Sequence, residues 1–519
     1  MKWLLFLLLV LQQVAGFAQR EATNWHFGNK LAMNFKSGCP VHFTVGDMVT
    51  FGGSAVMSDK DSGALLFYTN GRTIRNSMHQ PMPNGHYSPL DCANGIGQPA
   101  LIVPMPGNED LYYVFHQNFR TYPEGDKLYQ ICTTVPALAY SMDVLYSVVD
   151  MRLNNGLGDV VAMQKDMLLQ TKATEKLTAV PHSNGRDYWL VTHEWDSDAF
   201  VVHLITPAGI SSPFVQRIGS VHRQKPNHDN SEIRGMMKAS PDGKKLAVAV
   251  NGGARPFDLF DFDAATGILS NYVNLGNLHE QFGVSFSPDN SKLYVSNVDI
   301  SRMRDGEYYP DNIVQFDLLA GDTEAIITSA QSVIMDNPLF NRPPQGGIGG
   351  GFNDMQLAPD GKIYMIGNNW MVLDPSLGNN NVVVLHAPNK KGFDSRPSYS
   401  TLTFSGQPID AGLPNFIQSY FNGLEPVSCP AADECTFSVF DLYPNPATGV
   451  VKFNLLACGG KQNFSLHIVN AIGQVVREDL KRLSFEDEVD LSGYAAGLYL
   501  FIFTFENRQQ VVKKVVKAK

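Results

Sequence analysis

The sequence predicts an all-β protein: a β-propeller of about seven blades, six of them clearly readable, followed by a small β-sandwich. Three observations predict it. One strand–turn–strand phrase returns along the chain, groups of four short strands recur at a blade-sized spacing, and the composition suits short strands joined by tight turns. Among 519 residues there are 45 glycines and 30 prolines, with 17% charged and 11% aromatic residues, a mixture unlike coiled coil or disorder.

The phrase is clearest at Ser240-Pro241-Asp242-Gly243, followed by the alternating Leu246, Val248 and Val250. It returns at Ser287-Pro288-Asp289-Asn290 and at Ala358-Pro359-Asp360-Gly361, and more loosely at His182-Ser183-Asn184-Gly185 and Ser58-Asp59 to Tyr68. Asp242-Gly243 is expected to supply the positive φ angles of a tight hairpin turn.

Taken in order, the chain opens with Met1-Lys2 and a short apolar run to Leu11, then Gly16-Phe17-Ala18. This reads as a signal peptide over residues 1–18, cleaved between Ala18 and Gln19, because the run is too short to span a bilayer. No later stretch is long and apolar enough to span one, so the mature chain is expected to carry no transmembrane segment. The propeller is assigned to residues 19–424. Trp25 to Phe35 reads as a hairpin around Gly28-Asn29, and the first blade starts near Ser54. The second holds Ala100–Val103, Leu111–Phe115 and residues 139–149. The third covers 177–218, the fourth 236–275, the fifth about 283–328 and the sixth about 353–386. Leu402-Thr403-Phe404 adds a last strand. A blade cannot bury both faces alone, so the ring must close, and residues 25–35 with 399–404 are expected to share the final blade.

Residues 425–436 read as a linker. Alternating strands return over 437–519, as a small β-sandwich. Export makes the six cysteines candidates for disulfides. Six allow 15 pairings; Cys429 and Cys435 flank a short loop and could close on each other.

The last unit resembles the C-terminal sorting domain of type IX secretion substrates of Bacteroidetes-type bacteria. The residues that carry the likeness are Tyr443-Pro444-Asn445-Pro446, Asn470 to Val476 with Gly473, Val489 to Ser492, Gly497 and Tyr499 within Ala496 to Tyr499, and the basic tail. The resemblance implies passage through the periplasm and outer membrane by the type IX machinery, ending at the cell surface or outside the cell. The propeller half resembles secreted proteins of the same kind through Trp25 to Asn29, Ser58 to Tyr68 and Gly412 to Ile417. Where that family often carries a Glu before this Ser-Asp, the chain has Gly52-Gly53-Ser54-Ala55, so any role of that Glu is absent. The family supplies no catalytic residues to carry over.

The usual signatures of chemistry do not occur. There is no Gly-x-Ser-x-Gly elbow, Walker loop or His-Glu-x-x-His. Gly346 to Gly351 follows two prolines and leads into a strand, so it reads as an interblade loop; a phosphate loop would lead into a helix. The formal charge of −10 offers no basic stripe, and nucleic acid is not an expected partner. His193, Glu194, Trp195 and Asp196 follow a strand and should face one mouth of the ring. Their alternatives are a sugar platform, a calcium site or a solvated acidic turn; otherwise no cofactor is expected. The loop from His222 to Glu232 could hold a transition metal but lacks regular ligand spacing. Asp299, Arg302, Arg304, Asp305 and Glu307 support no assignment, and Tyr308 and Tyr309 beside them could form a ligand-facing rim.

The expected function is therefore non-catalytic binding of a surface glycan or a protein. Two alternatives are a propeller-type polysaccharide hydrolase, lyase or esterase, and a structural protein of adhesion or gliding. Fold alone does not choose among them.

Overall fold

The structure, a computed structural model, describes residues 19–50, 52–86, 96–121, 140–223, 231–298, 311–334, 352–367, 381–401, 412–429, 438–456, 463–482, 486–505 and 510–518. Six antiparallel units follow one another. The first is Ala55–Ser58, Leu65–Thr69, Thr73–Asn76 and Pro81–His86; the second is Ala100–Pro104, Leu111–Thr121, Tyr140–Asp150 and Asp159–Val160. The third runs from Met167–Pro181 through Tyr188–Glu194 and Ser197–Thr206 to Phe214–His222, and the fourth from Met237–Ala239 through Lys245–Val248 and Ala254–Asp263 to Ile268–His279. The fifth holds Val284–Phe286, Lys292–Val298, Asp311–Asp317 and Gln331–Ile334; the sixth holds Phe352–Leu357, Ile363–Gly367, Asn381–Leu385 and Pro397–Thr401. Their innermost strands meet in chain order, from Ala55–Ser58 round to Phe352–Leu357, which is the neighbour pattern of a propeller.

Among the described residues two pairs of blades are joined by strand pairing. Met167–Pro181 is 15 residues long, so its first half pairs with Tyr140–Asp150 while its second half opens the third blade. The fourth and fifth blades touch at His279 and Val298. The fifth also contains the short helix Thr323–Thr328, absent from the sequence reading, whose first turn is capped by Asp322 accepting from the Ala325 N–H.

The recurrent phrase is a recurrent turn. The Gly243 N–H donates to the Ser240 carbonyl, as Asn290 does to Ser287, Gly361 to Ala358 and Gly185 to His182. In each the residue with positive φ is that fourth one: Gly243 at 71°, Asn290 at 63°, Gly361 at 73° and Gly185 at 71°. Asp242 is not among the positive-φ residues. The Asp at the third position instead closes the loop with its side chain: Asp242 Oδ1 accepts from Lys244 N, Asp289 Oδ1 from Ser291 N and Asp360 Oδ1 from Lys362 N. Proline pre-sets the second position and glycine or asparagine tolerates the fourth, which is why these residue types recur.

The seventh sector is built from both ends of the propeller, with a different C-terminal piece from the one expected. Asn24–Phe27, Asn29–Asn34 and Val41–Val49 form a three-stranded sheet. Pro397–Thr401 belongs to the sixth blade, paired with Asn381–Leu385; residues 402–404 lie outside the described residues. The innermost place beside Asn24–Phe27 goes to residues 412–418. Asn415 N donates to the Ser54 carbonyl at 2.7 Å, and Phe416 packs on Trp25 at 6.0 Å between ring centroids. Trp25 also meets Tyr364 of the sixth blade edge-on at 5.8 Å, which completes the circle.

From there residues 418–429 cross the end of the ring that carries the repeated turns. Gly423 N donates to the Pro288 carbonyl and Val427 N to the Asp360 carbonyl, each at 2.8 Å. The strap ends in a disulfide from Cys429 to Cys39, 390 residues away in sequence. Cys429 therefore pairs with the N-terminal sheet rather than with Cys435, which lies outside the described residues.

The C-terminal unit is a sandwich. Ser438–Tyr443, Val450–Leu456 and Glu486–Asp490 form one sheet; Val475–Arg482, Asn463–Asn470, Gly497–Phe505 and Gln510–Lys517 form the other, in that spatial order. Val451, Phe453, Phe464, Leu466, Phe501 and Phe503 share their buried core. The motif residues hold its corners. Asn445 donates to the Lys514 carbonyl and accepts from Val516 N, pinning the turn with Pro444 and Pro446 to the last strand. Gly473, at φ 86°, turns the hairpin that Asn470 Oδ1 closes. The Tyr499 hydroxyl donates to the Ala495 carbonyl just before Gly497 starts its strand.

Candidate functional site

Antiparallel strands put a blade's first and third turns at one end of the ring and its second turn and exit at the other. At the first end the connections are short, as in residues 59–64, 77–80, 182–187, 240–244, 287–291 and 358–362, and the strap lies across them. At the second end several separations are longer, although second turns such as Glu194 to Ser197 are short: Thr121 to Tyr140, Val298 to Asp311, Ile334 to Phe352, Gly367 to Asn381 and Thr401 to Gly412. Propellers bind ligands where long connections gather, which directs attention in this fold to the second end and the axis below it.

The axis is occupied. Leu413, Phe416, Ile417, Tyr420 and Phe421 lie in the main core cluster with Trp25, Leu101, Leu177 and Tyr364. Polar atoms on the inner strands are directed at this segment. Asp354 Oδ2 accepts from Leu413 N at 2.6 Å. Lys238 Nζ donates to Gln356 Oε1 at 2.7 Å and to Asn415 Oδ1 at 3.2 Å. Gln98 Nε2 donates to the carbonyls of Leu177 and Met237 and to Asn415 Oδ1, and Asn415 Nδ2 reaches the carbonyls of Ala100 and Leu177. Burial pushes the Asp354 carboxyl up, with Lys238 opposing, and pushes the Lys238 ammonium down, with Asp354 opposing. A buried charge needs such partners; here the partner is the chain's own closing segment.

Sequence reasoning missed these residues, although a signal was present. Lys238, Ser285 and Gln356 each stand two positions before the first residue of the repeated turn, and all are buried. Polar residues at one repeat position, between apolar neighbours, mark the side of the strand that faces the axis.

Around the second end lies a charged group drawn mainly from the third and fourth blades. Glu175 is 2% exposed and accepts from Gly97 N at 3.1 Å; burial raises its carboxyl, against Arg234, that hydrogen bond and Lys176. Lys176 is fully buried, donates to the carbonyls of Ile233 and Arg234, and is pushed down to about 7 by burial against the pull of Glu175, Glu232 and Asp258. Glu232 accepts from Arg223 N at 2.7 Å and meets Arg255 at 3.1 Å.

The four residues singled out after the third blade's second strand divide between core and surface. Tyr188–Glu194 and Ser197–Thr206 are joined by the two-residue turn Trp195-Asp196, with Asp196 at φ 55°. Trp195 is 3% exposed and packs with Ile96, Met142, Val144, Ala173 and Ile233, so it offers no open face for a sugar. His193 is 1% exposed and stacks on His222, with ring centroids 3.8 Å apart. Burial, then the Lys176 ammonium, hold its imidazole down at about 3; His222 is also held well below the ordinary value. Stacked rings cannot turn two lone pairs onto one ion, which argues against this pair as the start of a metal site. Glu194 is half-buried and Asp196 exposed. Among the described residues no three His, Cys, Asp or Glu side chains gather to hold a metal. Residues 224–230 and Asp299, Arg302, Arg304, Asp305, Glu307, Tyr308 and Tyr309 lie outside the described residues, as do Gly346 to Gly351.

Comparison with known proteins locates the C-terminal unit. Residues 441–518 match the family described as the secretion system C-terminal sorting domain, in agreement with the type IX resemblance, and mark the chain for the cell surface or the extracellular space. Among the described residues no helix is long and apolar enough to cross a membrane. No curated protein matches the chain. Among solved structures it is similar to a periplasmic gluconolactonase of Pseudomonas aeruginosa, at 11% identity over 76% of this chain and 90% of that one, TM-score 0.35. It is also similar to the hydrazine synthase of Kuenenia stuttgartiensis, at 13% identity over 71% and 77%, TM-score 0.33. An exo-beta-1,3-galactanase of Phanerochaete chrysosporium gives 12% identity over 81% and 95%, TM-score 0.30.

Proposed function

We propose that this secreted propeller is a non-catalytic binding module, released from a signal peptide after Ala18 and carried out by the type IX machinery. Its ligand is a surface glycan or another protein, met at the end of the ring from which the long connections leave. The observation that carries this reading is the filled axis. Enzymes built on propellers draw their chemistry from groups converging on an open channel; here Gln98, Lys238, Asp354, Gln356 and Asn415 are engaged in holding residues 412–418. The carboxylates of Glu175, Glu232 and Asp354 each have a backbone or cationic partner, which suits support of a surface rather than paired acid–base work on a glycosidic bond.

The test uses the full chain on a panel of bacterial and host polysaccharides, with and without calcium, and follows both retention and shortened products. Retention without products is expected. New products would replace the reading with a polysaccharide-cleaving enzyme, and silence on both would favour adhesion to protein.

A further inference from the structure

The closing segment ends in a disulfide whose two sulfurs stand in different surroundings. Lys362 Nζ lies 3.3 Å from Cys429 Sγ. Its side chain is only 6% exposed, and it also meets Asp360 at 3.2 Å, a carboxylate that accepts from Lys362 N and from the Tyr364 hydroxyl as well. Among the described residues no side-chain nitrogen is hydrogen-bonded to Cys39 Sγ. Both cysteines are partly exposed, so a small thiol can reach the bond.

We propose that the Cys39–Cys429 disulfide is a reducible clasp on the ring, attacked by an external thiol at Cys39 with Cys429 as the leaving sulfur. In the first step the thiolate of a small thiol or protein dithiol forms a bond to Cys39 Sγ. The Cys39–Cys429 bond breaks and its electron pair leaves on Cys429, as a thiolate against the Lys362 ammonium. A second thiol then attacks the mixed disulfide, leaving two protein thiols and one oxidised thiol pair. The direction follows from the asymmetry. The sulfur whose thiolate is better stabilised leaves faster, and a contacting ammonium stabilises a thiolate. Asp360 opposes this from one contact further away, so the ammonium prevails.

Cleavage would free Cys429 while the hydrogen bonds at Leu413, Asn415, Gly423 and Val427 still hold the segment. Reduction therefore loosens the turn-bearing end of the ring without opening the axis. The clasp lies at the opposite end of the ring from the proposed ligand surface.

The experiment treats the full chain with a small excess of glutathione, quenches with acid, alkylates free thiols and maps peptides by mass spectrometry. Glutathione is expected on Cys39 and the alkyl group on Cys429. Lys362→Met should slow the first cleavage by roughly threefold to tenfold and spread the adduct over both cysteines, while Lys362→Arg should keep the preference for Cys39. Native-like circular dichroism of both variants guards against misfolding, and if Lys362→Met does not fold, the wild-type and Lys362→Arg adduct positions decide. Glutathione on Cys429 in the wild-type chain, or an unchanged rate and position in Lys362→Met, would overturn the proposal.

Discussion

Lys238 and Asn415 meet at the axis of the ring, ammonium to amide oxygen at 3.2 Å, across 177 positions of sequence. The same oxygen accepts from Gln98, so one asparagine on the closing segment serves the second and fourth blades together. Asn415→Leu keeps the branched shape but removes the shared acceptor and the amide donor, so Lys238 keeps only Gln356, Gln98 keeps only the Leu177 and Met237 carbonyls, and the bonds from Asn415 to the Ala100 and Leu177 carbonyls are lost. At about 0.5–1.5 kcal/mol for each lost neutral hydrogen bond and somewhat more for the one from the ammonium, unfolding in urea should show a loss of roughly 2–5 kcal/mol. A loss under about 1 kcal/mol would mean that the segment is not what closes the ring.

The stacked pair His193 and His222 should make the propeller acid-sensitive. His193 is held at about 3 by burial and by Lys176, against an ordinary value near 6.5 in the unfolded chain. The unfolded state therefore binds more protons between those limits. The favourable contribution of the neutral ring is full above pH 6.5 and is lost as pH falls, by about 1.4 kcal/mol per pH unit. Wild-type protein should lose about 2 kcal/mol more between pH 7 and 5 than His193→Phe, with stability measured in urea at each pH. Equal slopes would show that the imidazole titrates freely in the fold. His222 runs in the same direction, so the single variant removes only part of the effect.

Much of the ring was legible because its units are local. Ser240-Pro241-Asp242-Gly243 and its copies are specified within a few residues by proline, by an Asp side chain and by one left-handed position, and such signals survive without tertiary context. What was misplaced depends on residues far apart. Nothing near Gly412 announces that Asn415 will reach Gln98 and Lys238, and nothing near Cys429 announces Cys39. Trp195 and His193 read as site residues because aromatic and titratable side chains on a turn resemble a binding platform. Trp195 is buried by Ile96, Met142 and Ile233 from outside its own pair of strands, and His193 packs on His222 and Phe200. The sorting motifs were readable for the opposite reason, since Asn445, Gly473 and Tyr499 each act on backbone within one small unit.

Two copies of the repeated turn separate the energy of the turn from that of the strap. Gly185 and Gly361 have nearly the same backbone, φ 71° and 73°. A Cβ on Gly185 would meet nothing within 4 Å, whereas one on Gly361 would lie 2.8 Å from the backbone of Glu425 and Pro426. Gly185→Ala should cost only the left-handed conformation, about 1–2 kcal/mol. Gly361→Ala carries the same strain and must also lift the strap, whose backbone is tied by the Val427 N–H to the Asp360 carbonyl and by Cys429 to Cys39. It should cost a further 1–3 kcal/mol or so, read as the difference between the two unfolding midpoints. With the disulfide reduced the strap can move aside, so that difference should shrink while the Gly185→Ala cost stays constant. Equal costs in the oxidised protein would show that residues 423–429 do not press on the sixth blade.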